Sequence, residues 1–273
     1  MYSNESMLQF TGYTTIRLLP PGGMTDIFMA RDPKKRPVVI RCLRDEFAQQ
    51  RKWRKNFIRG AEILQDFDHP NIVRLIELNP DSFPPYMVLE YLNAKTLRSL
   101  ILAKDTLITD HLLVLLRQMA SALYYVHSMG YLHLDFKPDN LLVAEDPHVT
   151  LIDFDLITPR SRRPFRVKEL GGTLFYLPPE AQRHRRLGER ADIYAFGVTA
   201  YEMVKFHKPF SGETVEEARK AQLDASTPPT PIQSKETSIH PGLESIILKC
   251  LAKVPDDRYP SMSQVLKALD SLA

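Results

Sequence analysis

Over about the first 90 residues, apolar and polar positions alternate in short runs: Thr14 to Leu19, Asp26 to Ala30, Pro37 to Cys42, Ile72 to Leu78 and Tyr86 to Glu90. Clusters of Pro, Gly and Asp separate them, so the runs read as antiparallel strands joined by turns. One segment breaks the rhythm. From Glu46 to Phe67 the chain is charged and helix-favouring, and His69-Pro70-Asn71 stops it, because a residue before proline is driven out of the helical region. The expectation is one helix on a small sheet. Beyond Leu92 the period becomes helical. Apolar residues at 112, 113, 116, 119, 123 and 126 place a helix over Asp110 to Ser128, with Thr109 and Asp110 as its N-cap region and Gly130 as its stop. The second half reads as mainly helical, with the proline-rich stretch Thr227 to Pro231 as a loop between helices and no internal repeat.

A chain of 273 residues, 44% hydrophobic and 25% charged, buries one substantial core or two lobes that share a cleft. Its 36 basic and 33 acidic side chains are scattered and leave a formal charge of +3, too balanced to advertise nucleic acid or membrane as a partner. The opening MYSNESMLQF has no basic region leading into an apolar run, and the most apolar stretch, His111 to His127, is interrupted by Arg117, Gln118 and Ser121. A soluble, cytoplasmic protein is expected. Cys42 and Cys250 lie far apart without metal-ligand spacing and read as two reduced, buried thiols.

The chemistry concentrates in His133-Leu134-Asp135-Phe136-Lys137-Pro138-Asp139-Asn140, followed by the apolar run Leu141 to Val143 and, after a second apolar run, by Asp153-Phe154-Asp155. Phosphoryl transfer needs one carboxylate to orient the attacking hydroxyl, a cation to meet the transferred group, and oxygen ligands for magnesium. These motifs resemble the catalytic loop and metal-binding motif of protein kinases. The resemblance implies that Asp135 orients the hydroxyl, Lys137 stabilises the phosphoryl group, and Asn140 and Asp153 hold metal; His133 and Phe154 read as packing residues. Asp with Asn five residues later also occurs in small-molecule phosphotransferases, so neighbouring motifs decide. Gly172-Thr173-Leu174-Phe175-Tyr176-Leu177-Pro178-Pro179-Glu180 resembles the peptide-docking end of a kinase activation segment, with Pro178 where alanine is usual. Asp192-Ile193-Tyr194-Ala195-Phe196-Gly197 and Pro255-Asp256-Asp257-Arg258 resemble motifs of the larger kinase lobe, in which the equivalents of Glu180 and Arg258 pair. With His69-Pro70-Asn71-Ile72-Val73, the resemblance runs from Tyr13 to Leu272. Lys137, two residues after Asp135, and Thr173 fit the serine/threonine branch.

The nucleotide side departs from that pattern. Where kinases place a glycine-rich loop, the chain reads Leu19-Pro20-Pro21-Gly22-Gly23-Met24-Thr25-Asp26-Ile27-Phe28, and only Gly22 matches. Pro20 removes a donor and Asp26 adds negative charge near the expected triphosphate, so nucleotide affinity is expected to suffer; as an alternative, Gly22-Gly23 is simply a hairpin turn. Val38-Val39-Ile40-Arg41 puts arginine where a lysine would hold the phosphates. Counting back from His69, the partner glutamate of that lysine is replaced by Gly60, and Glu62, two helical residues on, turns by ~200° to another face. Asp155 replaces the glycine of the metal motif, and an Arg41 to Asp155 pair is the expected substitute for the lysine to glutamate bridge; the competing arrangement puts Arg41 on Asp153. Leu134 stands where many kinases carry the arginine that gathers a phosphorylated activation loop, so that switch is expected to be absent. The stretch Thr158 to Lys168 carries Arg160, Arg162, Arg163, Arg166 and Lys168, either as a solvated basic loop or as a receptor for an acidic substrate or partner.

The expected fold is α+β: a two-lobed protein-kinase fold in one domain over 1–273, with a small antiparallel-sheet lobe and one main helix over about 10–91, and a larger helical lobe over about 92–273. The cleft is expected near the hinge Glu90-Tyr91-Leu92. The resemblance implies ATP and Mg2+ as cofactors, with nucleotide contacts from Gly22, Ile27, Val39, Arg41, Leu89, Glu90, Leu92 and Leu142. The expected function is slow or conditional ATP- and magnesium-dependent phosphorylation of protein serine or threonine; the alternative is a pseudokinase acting as a partner-binding signalling scaffold. A protein substrate or protein partner is expected, with no nucleic acid and no membrane segment.

Overall fold

The computed structural model describes residues 9–20, 22–161, 163–166, 173–233 and 239–272. They fall into two units, one running to Asp68 and resuming over Ile72–Asn93, the other comprising His69–Asn71 and the chain from Ala94. The first is an antiparallel sheet of β1 (Thr14–Leu19), β2 (Thr25–Arg31), β3 (Pro37–Leu43), β4 (Leu75–Asn79) and β5 (Tyr86–Glu90), in the order β1-β2-β3-β5-β4. Residues two apart on a strand share a face. Phe28 and Ala30, Val38, Ile40 and Cys42, and Tyr86 and Val88 accordingly form one buried cluster with Phe10, whose ring meets Tyr86 edge-on at 4.8 Å. The intervening residues occupy the opposite face, where Ile27 pairs with Arg41 and Arg41 with Met87, while Met29 pairs with Val39 and Val39 with Leu89.

The single helix expected over Glu46 to Phe67 is two. A short α1 (Asp45–Ala48) ends before Gln50, which is extended at φ −90° and ψ 111°, and α2 (Arg51–Gln65) starts afresh. Gln50 Nε2 donates to Glu46 O at 2.9 Å, satisfying a carbonyl at the break, and the rings of Phe47 and Trp53 meet edge-on across it at 6.2 Å. β4 also begins later than the apolar run suggested, because Ile72 and Val73 are buried ahead of the ladder rather than paired in it.

The second unit is mostly helical. In chain order it contains β6 (Ala94–Thr96), α3 (Leu97–Ala103), α4 (Thr106–Asp110), α5 (Leu112–Ser128), β7 (Tyr131–Leu132), β8 (Leu141–Ala144), β9 (Val149–Leu151), β10 (Thr158–Pro159) and β11 (Phe165–Arg166). It continues with α6 (Pro179–His184), β12 (Arg186–Leu187), α7 (Glu189–Lys205), α8 (Val215–Leu223), α9 (Pro241–Cys250) and α10 (Met262–Asp270). α5 buries Leu115, Leu116, Met119, Ala120, Leu123 and Val126 along one stripe, and Gly130 closes it at φ 85°. Thr109 and Asp110 do not cap α5. They finish α4, which Asp105 caps by accepting from Leu107 N at 3.1 Å. α7 is buried on all sides from Ala191 to Val204; at Gly197 an added Cβ would lie 2.7 Å from Cys250 Cβ, so only glycine lets α9 approach. Arg258, fully buried, grips Glu180 with two N–H groups at 2.8 Å each, as the motif implied. No helix of the described residues is long and apolar enough to cross a membrane.

Candidate active site

The segment between β7 and β8 is held from below by one buried carboxylate. Asp192, near the start of α7, accepts from His133 N and Leu134 N and contacts His127 Nε2, each at 2.8 Å. These contacts fix Leu134 in a left-handed conformation at φ 63°, which a leucine rarely adopts unaided. His127 continues the chain of charges to Glu189 at 3.4 Å, and Glu189 accepts from Arg160 at 3.1 Å. Burial opposes a charge on His127, but its hydrogen bond to Asp192 and the negative charge of Glu189 prevail and raise its pKa to about 9; the same imidazolium holds both carboxyls below their ordinary range against the pull of burial. His127 is therefore a cation at neutral pH.

On this platform the expected catalytic residues converge. Lys137 Nζ donates to Asp135 Oδ2 at 2.8 Å and to Thr173 Oγ1 at 3.1 Å, and Asn140 Nδ2 donates to the same Asp135 Oδ2 at 3.0 Å and to Asp135 O at 2.8 Å. Burial pushes the Asp135 pKa up, Lys137 pulls it down, and the nearby negative charge of Asp153 raises it again. His133 accepts from Asp135 N at 3.3 Å and is kept neutral by complete burial, its ring against Phe154 and Phe136, as a packing role requires. Asn140 commits its amide nitrogen to Asp135, so its amide oxygen is the atom of that residue, and a carboxylate oxygen the atom of Asp153, that a cation would use. No group of three or more His, Cys, Asp or Glu among the described residues forms a metal cage. Two donors fit magnesium that arrives with phosphate oxygens and keeps water in its shell, rather than a resident ion.

The residues expected to contact nucleotide in the first unit share a surface but are partly occupied. Ile27, Val39, Arg41 and Leu89 all lie on the sheet face opposite the Phe10 cluster. Arg41 is buried, its Nε 3.3 Å from Thr25 Oγ1 and its guanidinium 5.6 Å over the Phe57 ring of α2. Gly60 is buried one turn beyond Phe57, and Glu62 is exposed. Gly22 N donates to Thr25 O at 3.0 Å, and a Cβ at Gly22 would meet Thr25 Oγ1 at 2.8 Å, so glycine here serves a tight turn. Arg44 donates to Asp26 at 2.9 Å and to Gly22 O at 3.2 Å, which offsets the charge expected to repel a triphosphate. Glu90 accepts from Arg74 N at 2.7 Å, and Leu92 is half-buried. In the second unit Leu142, on β8, is half-buried and pairs with Thr96 and Thr150.

The segment that follows the metal motif is anchored by apolar contacts. β10 pairs with β7, β11 pairs with β12, and Phe165 packs with Leu134 on the cluster of Leu177, Ala181, Leu187 and Ala191. Leu134 thus occupies hydrophobic surface instead of reaching for a phosphate. Further along, Arg98 of α3 joins Asp139 and Glu202 at 3.3 Å and the Tyr176 hydroxyl, tying the catalytic segment to the stretch after Thr173. The sequence reading missed the parts played by Asp192, His127 and Arg98. The Asp192 motif was visible, but its carboxylate's partners were not, and nothing at the apolar end of α5 announced His127 as a buried cation. Part of the basic stretch and Gly172 lie outside the described residues.

Comparison with known proteins agrees with this geometry. The profile of one family, the protein kinase domain, matches residues 13–269. The chain is 31% identical over 249 residues to the serine/threonine-protein kinase PrkC of Bacillus subtilis, covering 90% of this chain and 38% of that protein. It is 28% identical to PknB of Mycolicibacterium smegmatis, covering 93% and 41%, and 28% identical to PknD of Chlamydia caviae, covering 94% and 30%. The chain therefore spans well under half the length of the curated relatives it matches.

Proposed function

The chain belongs to the protein kinase domain family, of the eukaryotic-like serine/threonine type, and on that premise we propose that it transfers the terminal phosphoryl group of magnesium-bound ATP to a serine or threonine of a protein in the cytoplasm, slowly or conditionally. The observation that carries the reading is the convergence of Lys137 and Asn140 on one oxygen of Asp135. Both contacts fall on Oδ2, so Oδ1 is the oxygen that an acceptor hydroxyl would approach and to which its proton would pass. Lys137 meets the negative charge of the phosphoryl group while the acceptor oxygen bonds to phosphorus and the bond to the ADP oxygen breaks. Asn140 and Asp153 would hold magnesium, which when bound offsets phosphate charge. Gly22, Ile27, Val39, Arg41, Leu89, Glu90, Leu92 and Leu142 are the proposed nucleotide contacts.

A second reading, a pseudokinase scaffold, is favoured by one set of contacts. The Gly22 N–H and Arg41 Nε, two donors a phosphate would need, are engaged by Thr25. Incubation with labelled ATP and magnesium separates the readings. Transfer to a protein acceptor that disappears in Asp135→Asn supports catalysis at this site; its absence from wild type, or its persistence in the variant, removes the enzyme reading.

A further inference from the structure

Between 158 and 190 the chain carries nine basic and three acidic side chains, although the whole carries 36 and 33, so the remainder is net acidic. The fold adds a juxtaposition that charge content alone does not require. β11 and β12 pair over two rungs, Phe165 opposite Leu187 and Arg166 opposite Arg186. Burial with Leu134 accounts for the first rung. The second sets two exposed arginines against each other, a like-charge pairing that weakens a ladder, and neither has an ion-pair partner among the described residues. Arg163 is exposed three residues before Arg166, and Pro164 Cγ lies 3.5 Å from where a Cβ on Gly188 would stand, so the two stretches run side by side; Arg183 donates instead to Leu223 O. Arg160 and Arg190, by contrast, are paired with Glu189 and Asp256.

We infer that Arg163, Arg166 and Arg186 form a docking face for an acidic segment of the protein on which this chain acts. Guanidinium forks bind carboxylates with two N–H groups, and a carboxylate between Arg166 and Arg186 turns their repulsion into attraction. The same cluster packs on Leu134, the residue before Asp135, so a docked segment has a fixed relation to the catalytic carboxylate. The patch is small and the rest of the chain is net acidic, which suits a short peptide stretch better than the extended polyanion of a nucleic acid or membrane. The inference rests on the kinase reading only for the partner's role; docking itself needs no catalysis.

The test is the fluorescence anisotropy of a labelled Asp/Glu-rich peptide lacking hydroxyl residues, titrated with the full chain. Binding is expected in wild type and unchanged in Asp135→Asn, and about tenfold weaker in Arg166→Gln with Arg186→Gln. A control, Lys34→Gln with Lys35→Gln, lowers the net charge equally and is expected to bind as wild type. The double arginine variant is expected to melt no lower than wild type, since it removes a repulsion; a lower melting temperature would mean that these arginines hold the fold and would overturn the assignment. So would absent binding, equal weakening in the control, or tighter binding of a single-stranded oligonucleotide or of phosphatidylcholine/phosphatidylserine vesicles than of the peptide. Loss of phosphotransfer with docking intact would count against the kinase reading alone.

Discussion

Replacing His127 with glutamine removes the imidazolium that joins Asp192 to Glu189 and keeps an amide of similar reach. In the folded chain His127 is 2% exposed and titrates near 9, against an ordinary 6.5 for an imidazole in the unfolded chain. A raised folded pKa means that the proton is held more tightly in the folded state, so the stability it adds is complete below about pH 6.5 and is lost as pH rises through about 9. At ~1.4 kcal/mol per pH unit the interval is worth about 3 kcal/mol, a large part of the ~5–15 kcal/mol that stabilises a typical domain. Asp192 and Glu189 have depressed values, so their contributions are already complete in this window and add no slope. Lys253, lowered to about 8 by burial, works in the opposite sense above its own pKa, but equally in both proteins. Urea unfolding of wild type and His127→Gln at fixed ionic strength, from about pH 6 to about pH 9, is expected to show a stability gap of roughly 2–3 kcal/mol at the acid end that narrows steadily. A gap that does not change with pH would mean that His127 is neutral, and the account of the platform beneath Asp135 would be wrong.

Isothermal calorimetry is expected to show weak ATP binding that requires magnesium, because the proposed metal ligands Asn140 and Asp153 supply oxygens while the Gly22 turn donates to Thr25; equal binding in chelator, or none in millimolar magnesium, would refute this. Phosphotransfer, where measured, is expected to survive Thr158→Ala with Ser161→Ala within about tenfold, since Leu134 packs on the Leu177 and Leu187 cluster and cannot pair with a phosphate; a greater loss in a folded variant would reject it. Arg258→Ala is expected to lower the unfolding free energy by ~3–5 kcal/mol because Glu180 loses both its N–H partners; a drop below ~1 kcal/mol would show that the pair does not tie α6 in place.

Strands β1, β2, β3 and β5 were legible because period-two alternation and Pro or Gly punctuation are local signals. The break at Gln49-Gln50 was not: it contains no helix breaker, and the Phe47 to Trp53 packing that accompanies it is tertiary. Thr109 and Asp110 have good capping chemistry, but Asp105 takes that role for an earlier turn. Asp135, Lys137 and Asn140 belong to one short segment, so their mutual contacts follow from local spacing. Asp192 draws its partners from 58 to 65 residues away, and no local pattern encodes that. The offset of Asp26 by Arg44, 18 residues on, was invisible for the same reason.

The two thiols give each unit its own clock. Cys42 on β3 is 1% exposed and Cys250 at the end of α9, behind Gly197, not at all, and burial pushes both up to about 12. Only a thiolate reacts with an alkylating reagent, so neither can be modified until the structure around it opens. The rate of labelling in native buffer therefore counts opening events separately in the sheet unit and in the helical unit. A compound that steadies only the sheet would slow the first clock and leave the second running at its old pace.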